Sequence, residues 1–241
     1  MQIYQSPLLN KQKKLLHAFT GREVGNLAFH VQDDTKRVIA NHKQLAQLLK
    51  YDYTALVHMQ QIHSNQLHKV NEKDNFFNPP TCDSLITDKK NIPLMVIVAD
   101  CTPLLFYEPK NKVIAVAHAG RAGAFKNIVS VVIQSFIQDF HTKPEDIVVS
   151  VGASIGSCCY EVGEAIYKEC SALDLTYAIE RKGEKYFLDI NKISYTQLLE
   201  NGIKKENIDA LNICSACNTQ NFFSYRKEKE TGRFAGVIML N

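Results

Sequence analysis

Cysteine and histidine are the side chains that hold transition metals at neutral pH, and two of them end apolar runs joined by a short turn. Cys101 follows LMVIVAD, and His118 closes VIAVAH. Between them, Leu104–Glu108 and Val113–His118 flank the polar turn Pro109-Lys110-Asn111-Lys112, a spacing that predicts a β-hairpin. Pairing Glu108 with Val113 sets His118 opposite Pro103 and leaves Cys101 one diagonal step away on the same face. Diagonal neighbours lie roughly 5–8 Å apart at the backbone, close enough for a sulfur and an imidazole nitrogen to meet on one cation at about 2.0–2.3 Å. A buried structural thiol beside a packed histidine is the alternative.

A third ligand is sought in QQIHSNQLHKV, where His63 occupies a polar turn and His58 and His68 compete; His58 falls inside an apolar strand pattern. Two histidines and a cysteine leave one tetrahedral position free, the pattern of a catalytic zinc carrying an acidic water. Such a water can attack a purine ring carbon and deaminate it. The same donors also make blue-copper sites, but eight histidines with no His-x-His pair are few for several coppers.

Phosphate would need a second kind of site. The segment from His118 through Gly120, Arg121 and Gly123 runs toward a helix marked by Phe125, Ile128, Val129, Val132, Phe136 and Ile137. Its glycines allow close backbone approach, the helix start attracts anions, and Arg121 adds a fork of donors. Arg22, Arg226 and Arg233 are further phosphate candidates, Arg226 foremost because the aromatic run FFSY before it offers a ring for base stacking. Of the carboxylates, Asp100 precedes a ligand and is placed to orient one, and Asp83 is a candidate proton shuttle. Strand-end capping is the plain alternative for both.

Around these residues the chain has to supply a scaffold. Thr54–Gln61 with Gln66–Val70, Ser84–Thr87 with Ile92–Ala99, and Phe222–Arg226 with Phe234–Leu240 all read as further hairpins. LMVIVA and VIAVA are apolar on both parities, so they are expected to be covered on both faces. Helices are expected at Asn41–Lys50, from Glu161 to about Ser171, and at Lys192–Glu200. The pattern is α+β: a single domain over 1–241, with mixed, hairpin-rich sheets flanked by helices.

Composition bounds the rest. With 241 residues, 45% of them hydrophobic, the chain can bury an ordinary core. A net charge of +3 argues for no nucleic-acid partner, and no apolar stretch is long enough for a membrane span. The N-terminus lacks the apolar core of a signal peptide, and seven cysteines, an odd number, fit thiols or metal ligands in a reducing cytoplasm. Cys214-Ser-Ala-Cys217 is a lone CxxC, weak evidence for a metal or redox site; Cys158-Cys159 reads as a helix start. Packing of small residues is the expectation for both.

QQIHSNQLHKV, CDSLITD, VADCTPLLFYEP, VIAVAHAGRAG, GASIGSCCYEVG and FFSYRKEKETGRFAGVIML follow in order the motifs of the laccase-domain (YfiH-like) purine nucleoside phosphorylase family, and the chain resembles it from about Asn26 to Asn241. Members have been described as multicopper polyphenol oxidoreductases and as zinc-dependent purine nucleoside enzymes. The resemblance implies a single α/β domain with His63, Cys101 and His118 as metal ligands. It also implies phosphorolysis of adenosine, inosine or methylthioadenosine, with possible deamination. Two positions depart from the pattern: Ser64 stands where the family has glycine, and HAGRAG replaces HAGWRG, which moves the arginine to Arg121. Competing readings are a copper-dependent phenol oxidase, a zinc amidase acting on peptidoglycan precursors, and a metal-stabilised binding module.

Overall fold

A strand that is apolar on both sides needs cover on both sides. The computed structural model, which describes residues 1–241, meets that need by stacking two sheets between helices. The first sheet has four strands, in the order β1 (Ile3–Tyr4), β2 (Leu15–Thr20), β13 (Phe234–Leu240) and β5 (Leu94–Val98). The second has six: β12 (Ile208–Ala210), β8 (Val148–Val151), β6 (Thr102–Glu108), β7 (Val113–Ala119), β4 (Ser84–Thr87) and β3 (Leu67–Lys69). A small antiparallel sheet, β10 (Ile179–Lys182), β11 (Lys185–Leu188) and β9 (Glu161–Val162), stands to one side.

The pleat divides the core. Val96 and Val98 of β5, Leu105 and Tyr107 of β6, and Ile114 and Val116 of β7 pack together between the two large sheets. Met95 and Ile97 point the other way, toward Leu45 of helix α1 (Thr35–Leu49). Leu104, Phe106, Ala115 and Ala117 meet Val129, Val132 and Phe136 of α3 (Ile128–Phe140) and Leu198 of α5 (Ile190–Glu200). The expected two-sided cover and the α+β class are therefore both present. No helix is long and apolar enough to cross a membrane.

The hairpin at the centre of the metal argument forms in the expected register, with Glu108 opposite Val113 and Pro103 opposite His118. Three other expected hairpins do not form. β4 pairs with β3 and β7, whereas β5 pairs with β13 in the other sheet, so the turn between them carries the chain across layers. Tyr53–Ala55 is a short 3-10 turn capped by Asp52, and Val57 and Gln60 make only isolated bridges. Phe222 and Phe223 are buried without strand pairing, and Tyr225–Glu228 is one helical turn, α6, capped by Ser224. The last strand, β13, lies instead between β2 and β5. Local β propensity marks such runs, but the partner that best covers them decides the pairing.

Helix boundaries also shift. The helix expected to run on from Arg121 is broken: α2 (Arg121–Phe125) stops before Asn127, which adopts a left-handed φ of 54° and caps α3 through its side chain. α1 starts early, at Thr35, where Asp34 accepts the Lys36 amide. Glu161–Val162 is strand, and α4 (Glu164–Ala172) begins only after Gly163; Cys158 and Cys159 lie in a turn before it.

Candidate metal centre

Strand parity carries Cys101 and His118 to the same place. The face that holds Leu105, Tyr107, Ile114 and Val116 in the inter-sheet core runs on to residues 101 and 118 where that core ends. Asp100 and Cys101 form the crossing from β5 in one sheet to β6 in the other, and the turn needs a positive φ of 86° at Asp100. His63 arrives on an irregular segment. The Gln61 side chain imitates a paired strand by accepting the Ile97 amide at 3.0 Å and donating to the Ile97 carbonyl at 2.9 Å. The ligand atoms of His63, Cys101 and His118 lie within 4.8 Å of one another.

Asp83 organises this cluster. Its fully buried carboxylate accepts the amides of Ile62, His63 and Ser64 at 3.2, 3.0 and 2.6 Å, and the Ser64 hydroxyl at 2.7 Å. These donors wrap the chain around the carboxylate and hold His63 at a φ of 57°. The same carboxylate takes the Nδ1–H of His118 at 2.8 Å, which leaves Nε2 of that ring toward Cys101 and His63. Asp83, and not Asp100, is thus the carboxylate that bonds a ring of this cluster. With every acceptor direction occupied by protein, it is poorly placed to ferry protons. Asp100 accepts the Ser215 hydroxyl at 2.7 Å and the Arg226 amide at 2.6 Å, tying two distant segments to the ligand-bearing turn.

The electrostatics favour a thiolate at Cys101 and a carboxylate at Asp83, and a proton on His118 that a bound cation would displace. Burial pushes the Cys101 thiol up, but the charge and hydrogen bond of His118, with help from His63, outweigh it and bring the thiol to about 6. Burial pulls His118 down, but Cys101 and Asp83 outweigh it and raise the ring to about 9. Burial also pushes Asp83 up, and hydrogen bonds from His118 and Ser64 overcome it, leaving the carboxyl at about 2. Gly120 reports the same convergence sterically. A Cβ there would stand 2.9 Å from the Cys101 sulfur and 3.1 Å from Cδ2 of His63, so only glycine leaves the three side chains their space.

One soft thiolate, two imidazoles and a carboxylate behind one ring suit zinc or copper. Three protein donors are the complement of a catalytic metal, since structural zinc takes four. The competing histidines are otherwise engaged: His58 bonds the Phe76 carbonyl within an aromatic cluster, and His68 pairs with Asp74 at 3.1 Å.

The triad opens onto a cavity of about 450 Å³ lined also by His30, Tyr160, Tyr225, Arg226, Lys229 and Arg233. Arg121 lines it too, but its guanidinium is 2.5 Å from Glu169 on α4. With only five residues, α2 offers little of the anion-attracting dipole expected of a long helix. Gly120 and Gly123 serve close packing: a Cβ on Gly123 would lie 3.0 Å from the Ser64 carbonyl. Arg22 lies outside the cavity, clamped to Glu228 at 2.6 Å and stacked 4.4 Å from the Phe223 ring centre. Arg226 stacks 4.7 Å from the Tyr160 ring centre and donates to the carbonyls of Cys159 and Glu161 at 3.3 and 2.8 Å. Neither it nor Lys229 nor Arg233 forms an ion pair with a carboxylate. Sequence reasoning missed His30, Tyr160 and Lys229. GASIGSCCYEVG and FFSYRKEKETGRFAGVIML, two of the matched motifs, held the signal for Tyr160 and Lys229.

Comparison with known proteins gives the family. The chain is 36% identical to a purine nucleoside phosphorylase of Corynebacterium glutamicum, over 89% of this chain and 86% of that one. It is 27% identical to the purine nucleoside phosphorylase YlmD of Bacillus subtilis, over 94% and 88%. The crystal structure of the hypothetical protein YfiH of Bacillus licheniformis superposes with a TM-score of 0.91 at 29% identity, covering 97% of this chain and 94% of that one. The sequence profile described as multi-copper polyphenol oxidoreductase laccase matches residues 19–241, and the chain belongs to that family.

Proposed function

We propose that this protein is a zinc-dependent purine nucleoside phosphorylase acting on adenosine, inosine or methylthioadenosine, with adenosine deamination as an activity of the same site. The observation that carries this reading is one cavity shared by the His63–Cys101–His118 cluster and three cations, Arg226, Lys229 and Arg233, that have no carboxylate partner. An anionic co-substrate would neutralise them, and inorganic phosphate is such a co-substrate. Relatives named purine nucleoside phosphorylase support the choice.

In this reading an oxygen of hydrogen phosphate attacks C1′ of the ribose, the bond from C1′ to the purine nitrogen breaks, and the base leaves with the proton that the phosphate gives up. Arg226 has one nitrogen committed to backbone carbonyls, so its stacked guanidinium is fixed as a donor plane, while Lys229 and Arg233 add charge to the same wall. Tyr225 is more than half exposed at the cavity and offers its ring to the base. A metal held by His63, Cys101 and His118 would supply Lewis acidity there. Asp83 keeps the His118 ring in place, and Asp100 holds the Ser215 turn and the Arg226 backbone against the ligand turn.

A multi-copper oxidase is less well supported, because only one histidine-containing ligand group is assembled, although the same three donors suit a single copper. None of the seven cysteines forms a disulfide, which fits a reducing compartment such as the cytoplasm. The test is metal analysis joined to product analysis on adenosine with and without phosphate. Adenine with ribose 1-phosphate, formed only when phosphate is present, is the expected result; inosine formed without phosphate would reveal the deaminase. Neither product, together with oxygen-dependent turnover of phenols, would overturn the proposal.

A further inference from the structure

The parallel pair β8 and β12 sends two loops off the same end of the sheet, Val149 beside Ile208 and Val151 beside Ala210. The loops stay together beyond the strands: Ser154 bridges Cys214, and the Ser215 amide donates to the Ser154 carbonyl at 3.0 Å. This pairing brings the turn at Gly156–Cys159 against the turn at Cys214–Cys217, two motifs that are each weak alone. The sulfurs of Cys158, Cys159, Cys214 and Cys217 all lie within 4.8 Å of one another. Cys217 is 3.6 Å from Cys158 and 3.3 Å from Cys159, too far for any S–S bond.

A tetrahedral ion with four bonds of about 2.3 Å to sulfur sets those sulfurs a little under 4 Å apart, the spacing this cluster approaches. An iron–sulfur core would spread its cysteines further. The backbone is adapted as well. The Gly156 amide donates to the Cys214 sulfur at 3.3 Å, as amides do to bound thiolates. A Cβ at Gly156 would press to 3.3 Å from the Cys158 sulfur. No histidine or carboxylate belongs to the group, so the donors are uniformly soft.

We propose that Cys158, Cys159, Cys214 and Cys217 form a second metal site that binds one zinc ion as a closed tetrathiolate. With four protein ligands it has no position for substrate, and its work is to staple the two loops. The first of those loops lines the cavity through Ile155 and Tyr160, and the second braces it from behind. The Cys159 carbonyl receives Arg226, Tyr160 carries the guanidinium stack, and Ser215, inside the CxxC turn, holds Asp100 beside Cys101. The site stands independently of the activity proposed above.

The test is zinc content of the purified full chain, compared with Cys158→Ser/Cys217→Ser and with Cys101→Ala. The double variant is expected to carry one zinc ion per chain fewer than the parent, whatever the occupancy of the other centre. Cobalt-loaded Cys101→Ala protein is expected to show the intense ligand-field and sulfur charge-transfer bands of tetrahedral tetrathiolate cobalt. That spectrum leaves the cluster intact, so it decides the matter even if the double variant does not fold. Unchanged zinc in a folded double variant, absence of the tetrathiolate spectrum, iron in place of zinc, or a disulfide among these four cysteines in freshly isolated protein would overturn the proposal.

Discussion

Asp83 shows how much one side chain can determine. It accepts the ring N–H of His118, shapes the backbone around His63 and is sealed from solvent. Replacing it with asparagine turns an acceptor into a partial donor facing three amides and a ring N–H. Metal affinity of Asp83→Asn is expected to fall by about 10- to 100-fold, measured by competition with a chromogenic chelator. The change should also appear in acid stability. The carboxyl is held at about 2 against an ordinary 3.8, so its stabilising effect is complete above pH 3.8 and is lost as the pH falls through 2. That effect is worth about 2 kcal/mol and should be missing from the acid limb of the variant, read by urea midpoints against pH. In the cavity, Arg226→Met/Lys229→Met removes two unneutralised cations. The KM for phosphate is expected to rise by about 10-fold or more, with that for the nucleoside changing less, since a hydrogen bond to a charged group contributes about 1.5–3 kcal/mol. An equal rise in both would assign the cations to the nucleoside.

Elements impose their own constraints. β7 ends at Ala119, and Gly120 turns the chain into α2 directly over the ligands. Gly120→Ala should leave the far-ultraviolet circular dichroism unchanged and abolish metal binding, because its methyl occupies space shared by the sulfur and a ligand ring. Retained stoichiometric metal in the variant would contradict that steric argument. Helix α1 is anchored through His42, whose Nε2 bonds the Leu27 carbonyl at 2.9 Å while its ring stacks on Phe29. Burial holds this ring at about 4, below its ordinary 6.5, against the pull of the Leu27 bond. The native state therefore keeps it neutral while the unfolded chain takes up a proton. Stabilisation is complete above pH 6.5 and declines as the pH falls through 4, by about 3 kcal/mol. His42→Gln keeps a donor for Leu27 but has no proton to take up, so the slope of stability between pH 6.5 and 4 should flatten.

Over the whole molecule, the cavity draws on seven separated stretches, from His30 to Arg233, held by two sheets that share one core. A ligand that binds only the assembled site adds stability to all of them, about 2.7 kcal/mol at a free concentration one hundred times its Kd. Removing metal with a chelator should therefore lower the melting temperature of the parent more than that of Cys101→Ala. Equal shifts would mean that the His63–Cys101–His118 cluster holds no metal in the folded protein.

The amino-acid sequence by itself determined the hairpin from Leu104 to His118 and the two-sided burial of its strands. A short turn leaves one register possible, and alternation assigns each side chain to a face. Cys101 and His118 could be brought together on that basis, and the matched motifs implied His63 beside them. Only the tertiary structure decided that β4 and β5 belong to different sheets and that β13 lies between β2 and β5. It also set Asp83 against His118, bound Asp100 to Ser215 and the Arg226 backbone, withdrew Arg22 from the cavity and gathered four cysteines from two loops. Each of these depends on contacts between segments far apart in the chain. Such contacts are selected by the burial they achieve together, and no local pattern of residues encodes that sum.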